Sequence, residues 1–205
     1  MLGLPRSTDI VKPLHKKAVF TKFNPNPAAR NLFDEQISRM SIVAEISPQT
    51  VSISAGAKVE AVYVILVIMK TADCDKNNIA MLSKLIDQNM LFVLQFKETA
   101  RLAVYRANRV LMSESKPINE WALRITGLDL DAVLENFIAV IGDIDLTSGK
   151  DLDEKIVANA EREKVLRKLE RLEKQARNEK QPRRKLELAE EVKRFKLELE
   201  DTDNG

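Results

Sequence analysis

Hydrophobic and polar positions divide the chain into an apolar first part and a charged last part. In residues 31–148, short runs of Val, Ile, Leu and Phe alternate with turn residues, which predicts a packed core domain. Short apolar or alternating runs predict strands over 50–54, 59–70 and 121–125, and a hairpin over 90–106. Helical spacing predicts helices over 28–46, 76–89 and 130–141. This order predicts an α+β fold in which helices cover a mixed sheet of four to six strands.

The segment 151–205 is dominated by charged residues, and its apolar residues recur at helical spacing. Residues 178–181 interrupt the pattern, and Pro182 suits the first turn of a second helix. The apolar residues of that second helix follow four-three-four spacing, at Leu188, Val192, Phe195 and Leu199. We therefore expect an antiparallel, coiled-coil-like helical hairpin that leaves Leu186 and Leu197 available for a partner.

Residues 1–30 combine four prolines with a basic charge pattern. Because the prolines repeatedly forbid helix, we expect an irregular, basic N-terminal arm. Lys16 and Lys17 are its candidates for contact with nucleic-acid phosphates. A second basic candidate lies at the predicted tip of the hairpin and consists of Arg183, Arg184 and Lys185. The alternative for the arm is a solvated segment wrapped over the domain.

The composition limits the chemistry. The chain has 205 residues, a net charge of +2 and 44% hydrophobic residues, so we expect a folded core and find little support for nucleic-acid binding in the net charge. One cysteine and one histidine exclude an internal disulfide and a zinc site, and we expect no metal and no cofactor. A single cysteine fits a reducing compartment, and the longest apolar run is too short to cross a bilayer. We therefore expect a soluble, cytoplasmic protein with no membrane contact.

Several segments carry a family resemblance. They are the opening Met-Leu-Gly-Leu-Pro-Arg-Ser-Thr, Phe33-Asp-Glu-Gln-Ile37, Ile46-Ser-Pro-Gln-Thr-Val-Ser-Ile, Leu128-Asp-Leu-Asp-Ala-Val-Leu-Glu-Asn-Phe and Glu179-Lys-Gln-Pro-Arg-Arg-Lys-Leu-Glu-Leu-Ala. Together they resemble a family of bacterial and archaeal proteins classed as a domain of unknown function, although that family more often has Phe-Asn where Pro182 and Arg183 stand here. The resemblance implies a setting and no reaction: such proteins are similar to ones encoded beside helicases and DNA methyltransferases of restriction-like defence systems.

One motif raises the question of a metal-dependent nuclease. Restriction-endonuclease-like sites place an acidic residue on one strand, and a Glu or Gln two positions before a Lys on the next strand, to hold Mg²⁺ and orient a water. Gln95 and Lys97 have this spacing, and Asp87 or Asp73 is the candidate upstream carboxylate. The alternative is that Gln95 and Lys97 lie on the solvent side of a surface hairpin.

Three functions therefore stay open. The first is a non-catalytic accessory or adaptor subunit of a DNA-processing or phage-defence complex, whose partner would be a helicase, a DNA methyltransferase or a second copy of the chain. It is favoured because the sequence lacks a complete catalytic constellation, while the tail suits protein contact. The second is the Mg²⁺-dependent nuclease, and the third is a sequence-independent DNA-binding protein.

Overall fold

Contacts divide the molecule into two units, residues Met1–Gly149 and Lys150–Gly205. The structure is a computed structural model and describes residues 2–146 and 151–203. The first unit contains a mixed sheet with helices, and the second contains a pair of long helices. The predicted α+β class with a C-terminal helix pair is confirmed.

Strands and helices of the first unit follow each other in mixed order. They are β1 Asp9–Leu14, α1 Lys16–Phe23, α2 Pro27–Gln36, β2 Ile37–Ile46, β3 Val62–Met69, α3 Lys76–Ser83, β4 Asn89–Phe96, β5 Thr99–Arg106, β6 Arg109–Met112, β7 Lys116–Pro117 and α4 Leu130–Gly142. Short 3-10 segments lie at Arg6–Thr8 and Ile118–Glu120. The second unit consists of α5 Leu152–Asn178 and α6 Pro182–Asp203.

Two apolar strands, β3 and β4, form the centre of the sheet. The strand order is β1-β2-β3-β4-β5-β6, and β7 also pairs with β5, which makes seven strands where four to six were expected. β3 and β4 run parallel because α3 connects them as a crossover, while the other described pairs are antiparallel. Both strands are almost continuously apolar, and the side chains with no exposed surface include Val64, Ile65, Leu91 and Phe92.

The predicted helix over 28–46 is wrong in its second half. α2 ends at Gln36, and the following residues form β2, which pairs with β3 along its length. Alternate side chains of β2 are buried, namely Met40, Ile42, Ala44 and Ile46. Helical and strand spacing overlap where α2 passes into β2, and pairing with a strongly apolar neighbouring strand decides the outcome.

The expectation of an irregular arm over 1–30 is also wrong. β1 pairs with β2 at the edge of the sheet, which is the position that tolerates a proline such as Pro13. Pro27 occupies the first turn of α2, and the side-chain oxygen of Asn26 caps that helix by accepting the Ala29 N–H at 2.8 Å. The prolines therefore lie at an edge or at element ends, where they do not interrupt regular structure.

Three smaller predictions differ from the structure. Residues 50–54 and 121–125 form no strand ladder in the described chain, apart from one isolated bridge between Ser54 and Asp129. α3 ends at Ser83, earlier than the predicted 89, because the next two backbone N–H groups bond three residues back. The short strand β6 was not predicted.

A carboxylate of α4 fixes the loop between β2 and β3. Asp131 Oδ2 accepts the Ala57 N–H at 2.7 Å, and Asp131 Oδ1 accepts the Val59 N–H at 2.8 Å. The Lys58 N–H lies 3.2 Å from both oxygens. A Cβ at Gly56 would collide with the Asp131 carboxylate and lie 2.7 Å from the Asp131 backbone nitrogen, so glycine is required where the loop approaches the start of α4.

The helices of the second unit are 27 and 22 residues long. Their contacts run in opposite directions along the two helices, because Lys168 within α5 lies near Phe195, while Glu179, which caps the end of α5, lies near Arg184 at the start of α6. The pair is therefore antiparallel. Within the ranges that the structure describes, no helix has both the length and the apolarity needed to cross a bilayer.

Candidate functional site: a protein-contact face on the C-terminal helix pair

A three-residue turn joins α5 to α6, and Glu179 organises it. The Glu179 carboxylate accepts the backbone N–H of Gln181 at 2.9 Å and that of Lys180 at 2.8 Å. Arg184 Nε lies 3.7 Å from the same carboxylate. The hydrogen bond from the Gln181 N–H holds the pKa of Glu179 below its ordinary value, and the hydrogen bond from the Lys180 N–H and the charge of Arg184 act in the same direction. The turn therefore fixes where the second helix begins.

Apolar side chains fill the contact between α5 and α6. Leu169, Leu172 and Phe195 are at most 9% exposed, and the residues packed against them are Val165, Leu188 and Val192. Lys168 Nζ lies 4.2 Å from the centre of the Phe195 ring, and Lys196 Nζ lies 2.9 Å from Glu173 Oε1. The hydrogen bond from Lys196 is the main reason that the pKa of Glu173 is lowered. Leu188, Val192 and Phe195 of the predicted stripe thus pack inside the pair, and the side chain of Leu199 lies outside the part of the chain that the structure describes.

The opposite face of α6 carries two exposed leucines. Leu186 is 63% exposed and Leu197 is 53% exposed. Eleven residues correspond to about three helical turns, so both side chains lie on one face, about 16 Å apart along the axis. Leu188 and Phe195, each two residues away from one of them, point toward α5 instead. The two residues predicted for partner contact therefore share a solvent-facing side of the helix.

Most of the basic cluster at the tip of the pair faces carboxylates. Arg183 Nε lies 3.6 Å from Glu187, and Arg184 Nε lies 3.7 Å from Glu179. Lys185 is exposed beside them. The local field offered to a phosphate is weaker than the three cations suggest, because two of them are matched by negative charge.

The two candidate lysines of the N-terminal segment differ in environment. Lys16 Nζ lies 2.8 Å from Asp34 Oδ1 and also donates to the Ile37 carbonyl, and its side chain is 23% exposed. It connects the start of α1 to α2 and β2. Lys17 is exposed to solvent. Of the two lysines, Lys17 is the more accessible to solvent, while Lys16 is held by Asp34 and the Ile37 carbonyl.

The residues of the nuclease motif are spread along β4. Asp87 precedes the strand and Gln95 lies near its end, so about 25 Å separates them. Gln95 Nε2 donates to the Lys97 carbonyl at 3.0 Å, and Lys97 has φ 54° in the turn that follows. Asp73 follows β3, whose carboxyl end lies at the same edge of the sheet as that of β4. Among the described side chains, no three His, Cys, Asp or Glu residues are placed to hold one metal ion.

Sequence reasoning missed a polar pocket of about 710 Å³, because its lining comes from distant segments. It brings the carboxylates of Glu60 and Asp87 together with three cations, Lys22, Lys58 and Lys84. The pocket therefore mixes both signs of charge, with three cations against two carboxylates. No signal in local spacing links these segments.

The single cysteine, Cys74, lines a smaller pocket of about 210 Å³. Burial, with the neighbouring charge of Asp75 as a second cause, raises the pKa of the Cys74 thiol to about 12. The thiol is therefore protonated and a poor nucleophile at neutral pH.

The chain belongs to the family described as "Domain of unknown function (DUF4391)", whose model matches residues 2–199. The expected membership of a family of this kind is confirmed, and it covers both units. No curated protein and no solved structure matches the chain.

Proposed function

We propose that this member of the DUF4391 family is a non-catalytic accessory or adaptor subunit that binds protein through its C-terminal helix pair. The partner we propose is a helicase or DNA methyltransferase of a restriction-like DNA-processing complex, in keeping with the setting that the sequence resemblance implies. One observation carries the proposal: α6 exposes Leu186 and Leu197 on one face, while its other face is already packed on α5.

The energetics favour contact at this face. A helix that only needs to cover α5 gains nothing from apolar residues on its far side. Burying the exposed part of each leucine would contribute about 1 kcal/mol, and anchors at this spacing suit a helix that docks into an apolar groove. The surrounding charges keep the free protein soluble and provide a polar rim.

The other two functions have less support from the contacts. For DNA binding, Lys16 is taken up by Asp34, and Arg183 and Arg184 face carboxylates. For the nuclease, Asp87 precedes β4 while Gln95 lies near its other end, which leaves only Asp73 of the two candidate upstream carboxylates. Each remains an outcome that the following experiment distinguishes.

The test compares affinity capture by the wild-type chain with capture by Leu186→Asp/Leu197→Asp, followed by mass spectrometry. The matched control is Leu128→Asp/Leu166→Asp, which adds two carboxylates at other exposed leucines. We expect the wild type and the control to retain a helicase or methyltransferase and the α6 variant to lose it. Retention of that partner at the wild-type level by the α6 variant would refute the proposal.

A DNA arm accompanies this experiment. Binding of a fluorescent 30-base-pair duplex is measured at about 50 and 200 mM salt, with Lys17→Glu and Lys185→Glu as variants. Tight binding that falls steeply with salt and is lost in these variants would establish the DNA-binding alternative. Cleavage of the duplex in Mg²⁺, abolished by Lys97→Ala, would establish the nuclease.

A further inference from the structure

We infer that the exposed face of α6 binds the same face of a second copy of the chain, with the two helices antiparallel. The inference rests on the proposed function because it uses the contact face defined above: a second copy covers this face, reversibly, when the proposed helicase or DNA methyltransferase is not bound. The face consists of Leu186, Glu190, Lys193 and Leu197.

These four residues form one narrow stripe. At about 100° per residue, all four lie within about 60° of arc on the helix surface. All four are exposed, and the stripe faces away from the packed side of α6. Ala189 borders it, and its small side chain allows a second helix to approach closely.

The stripe is complementary to itself under a two-fold rotation. Leu186 and Leu197 lie at equal distances on either side of the midpoint between residues 191 and 192, and so do Glu190 and Lys193. An antiparallel copy centred on that midpoint places each Leu186 against the Leu197 of the other chain and each Glu190 against its Lys193. A two-fold interface requires this relation, in which residue i meets j and j meets i.

Charge argues for a second copy in this orientation. Parallel helices in register would place Glu190 against Glu190 and Lys193 against Lys193, which is repulsive. Within the described part of the chain, neither residue forms an ion pair, although other carboxylates and basic side chains of the helix pair do. Both charges are therefore available to a second chain.

The contact is small, so the dimer is weak and reversible. Two leucine contacts and two exposed ion pairs cover far less surface than a standard protein interface. We expect the dissociation constant of the dimer to be on the order of 100 μM.

Charge reversal tests the pairing in the intact chain, by sedimentation equilibrium between about 10 μM and 1 mM. Glu190→Lys alone and Lys193→Glu alone each place like charges opposite one another, and each should weaken the dimer about tenfold or more. An equal mixture of the two variants, and the double variant Glu190→Lys/Lys193→Glu, should regain wild-type association. Glu170→Lys, on α5, is the control and should not differ from wild type.

Three results would overturn the inference: a wild-type chain that stays monomeric at 1 mM, single variants that dimerise normally, or a mixture that fails to restore association. Circular dichroism of each variant verifies that the helices are intact.

Disulfide trapping tests the register. In the antiparallel dimer Leu186 lies against Leu197 of the other chain, while the two Leu186 positions are about 16 Å apart, beyond disulfide reach. Leu186→Cys/Leu197→Cys should therefore form a covalent dimer under mild oxidation, and Leu186→Cys alone should not. Equal cross-linking of both variants would refute this register. The wild-type chain controls for Cys74, whose raised pKa makes it slow to react.

Different experimental results would contradict the dimer and the adaptor role. A monomeric protein whose Leu186→Asp/Leu197→Asp variant loses a helicase or methyltransferase would retain the proposed function and discard the self-pairing. A chain that dimerises, but whose Leu186→Asp/Leu197→Asp variant still captures that partner normally, would retain the self-pairing and discard the proposed function.

Discussion

The contact between Asp131 and the loop after β2 allows a quantitative prediction. Asp131→Ala removes the acceptor of three successive backbone N–H groups, those of Ala57, Lys58 and Val59. Val59 is 3% exposed, so its N–H has little access to water as a replacement. The variant should destabilise the first unit while leaving the helix pair unchanged.

The magnitude follows from the three contacts. A hydrogen bond to a charged group contributes about 1.5–3 kcal/mol when buried, but Ala57 and Lys58 are exposed and their contacts count for less. We therefore expect a loss of about 2–4 kcal/mol in the free energy of unfolding. Asp131→Asn should recover less than half of this loss, because its NH₂ group would face a backbone N–H instead of accepting from it.

Urea unfolding followed by tryptophan fluorescence reports on the stability of the first structural unit, which contains Asp131. Trp121 is the only tryptophan, is 8% exposed, and donates from Nε1 to the Ala100 carbonyl at 2.9 Å. The urea concentration at the midpoint of unfolding should fall, while the slope of the unfolding free energy against urea concentration should stay the same. Glu135→Ala, an exposed acidic residue on the same helix, is the matched control and should change stability by less than about 0.5 kcal/mol. A loss below about 0.5 kcal/mol for Asp131→Ala would show that the loop is held by other contacts.

Three further predictions concern other side chains. Lys16→Ala should lower the free energy of unfolding by about 1 kcal/mol, whereas Lys17→Ala should leave it unchanged in the same urea assay. Equal effects of the two substitutions would contradict the role of Lys16 in connecting α1 to α2. Because the pKa of Glu173 is lowered in the folded state, its contribution is present above the ordinary carboxyl pKa and is lost as the pH falls through the folded value. Circular dichroism melts at pH 7 and pH 3 should therefore show a smaller acid loss for Lys196→Ala than for wild type, and an equal loss would discount this pair. At pH 8 Cys74 should react with a disulfide reagent on the order of a thousandfold more slowly in the folded protein than in urea, and a fast folded-state reaction would contradict the raised thiol pKa of about 12.

The sequence predicts some features well because they depend on local spacing. The helix pair follows from four-three-four spacing and from the break before Pro182, which are signals within a few residues of each other. The exposure of Leu186 and Leu197 follows from the same periodicity, because they fall outside the stripe.

Other features depend on partners distant in the chain. β2 is a strand because β3 lies beside it, and nothing local in residues 37–46 rules out a helix. The role of Asp131 depends on a loop 72 to 74 positions earlier in the chain, and Lys16 bonds to Asp34, which is 18 positions later. The polar pocket is assembled in the same way, so none of these contacts has a sequence signal.

The edge position of β1 has a consequence for solubility. An edge strand leaves backbone groups open to a strand from another molecule, which is a route to aggregation. β1 carries Lys12 and Pro13 and has an irregular register against β2, three devices that natural sheets use to block such pairing. Val11, at 84% exposed, shows why protection is needed, because it is an apolar β-branched side chain on an open edge. Pro13, which argues against a strand in sequence-based prediction, therefore also hinders the pairing of β1 with a strand from another molecule.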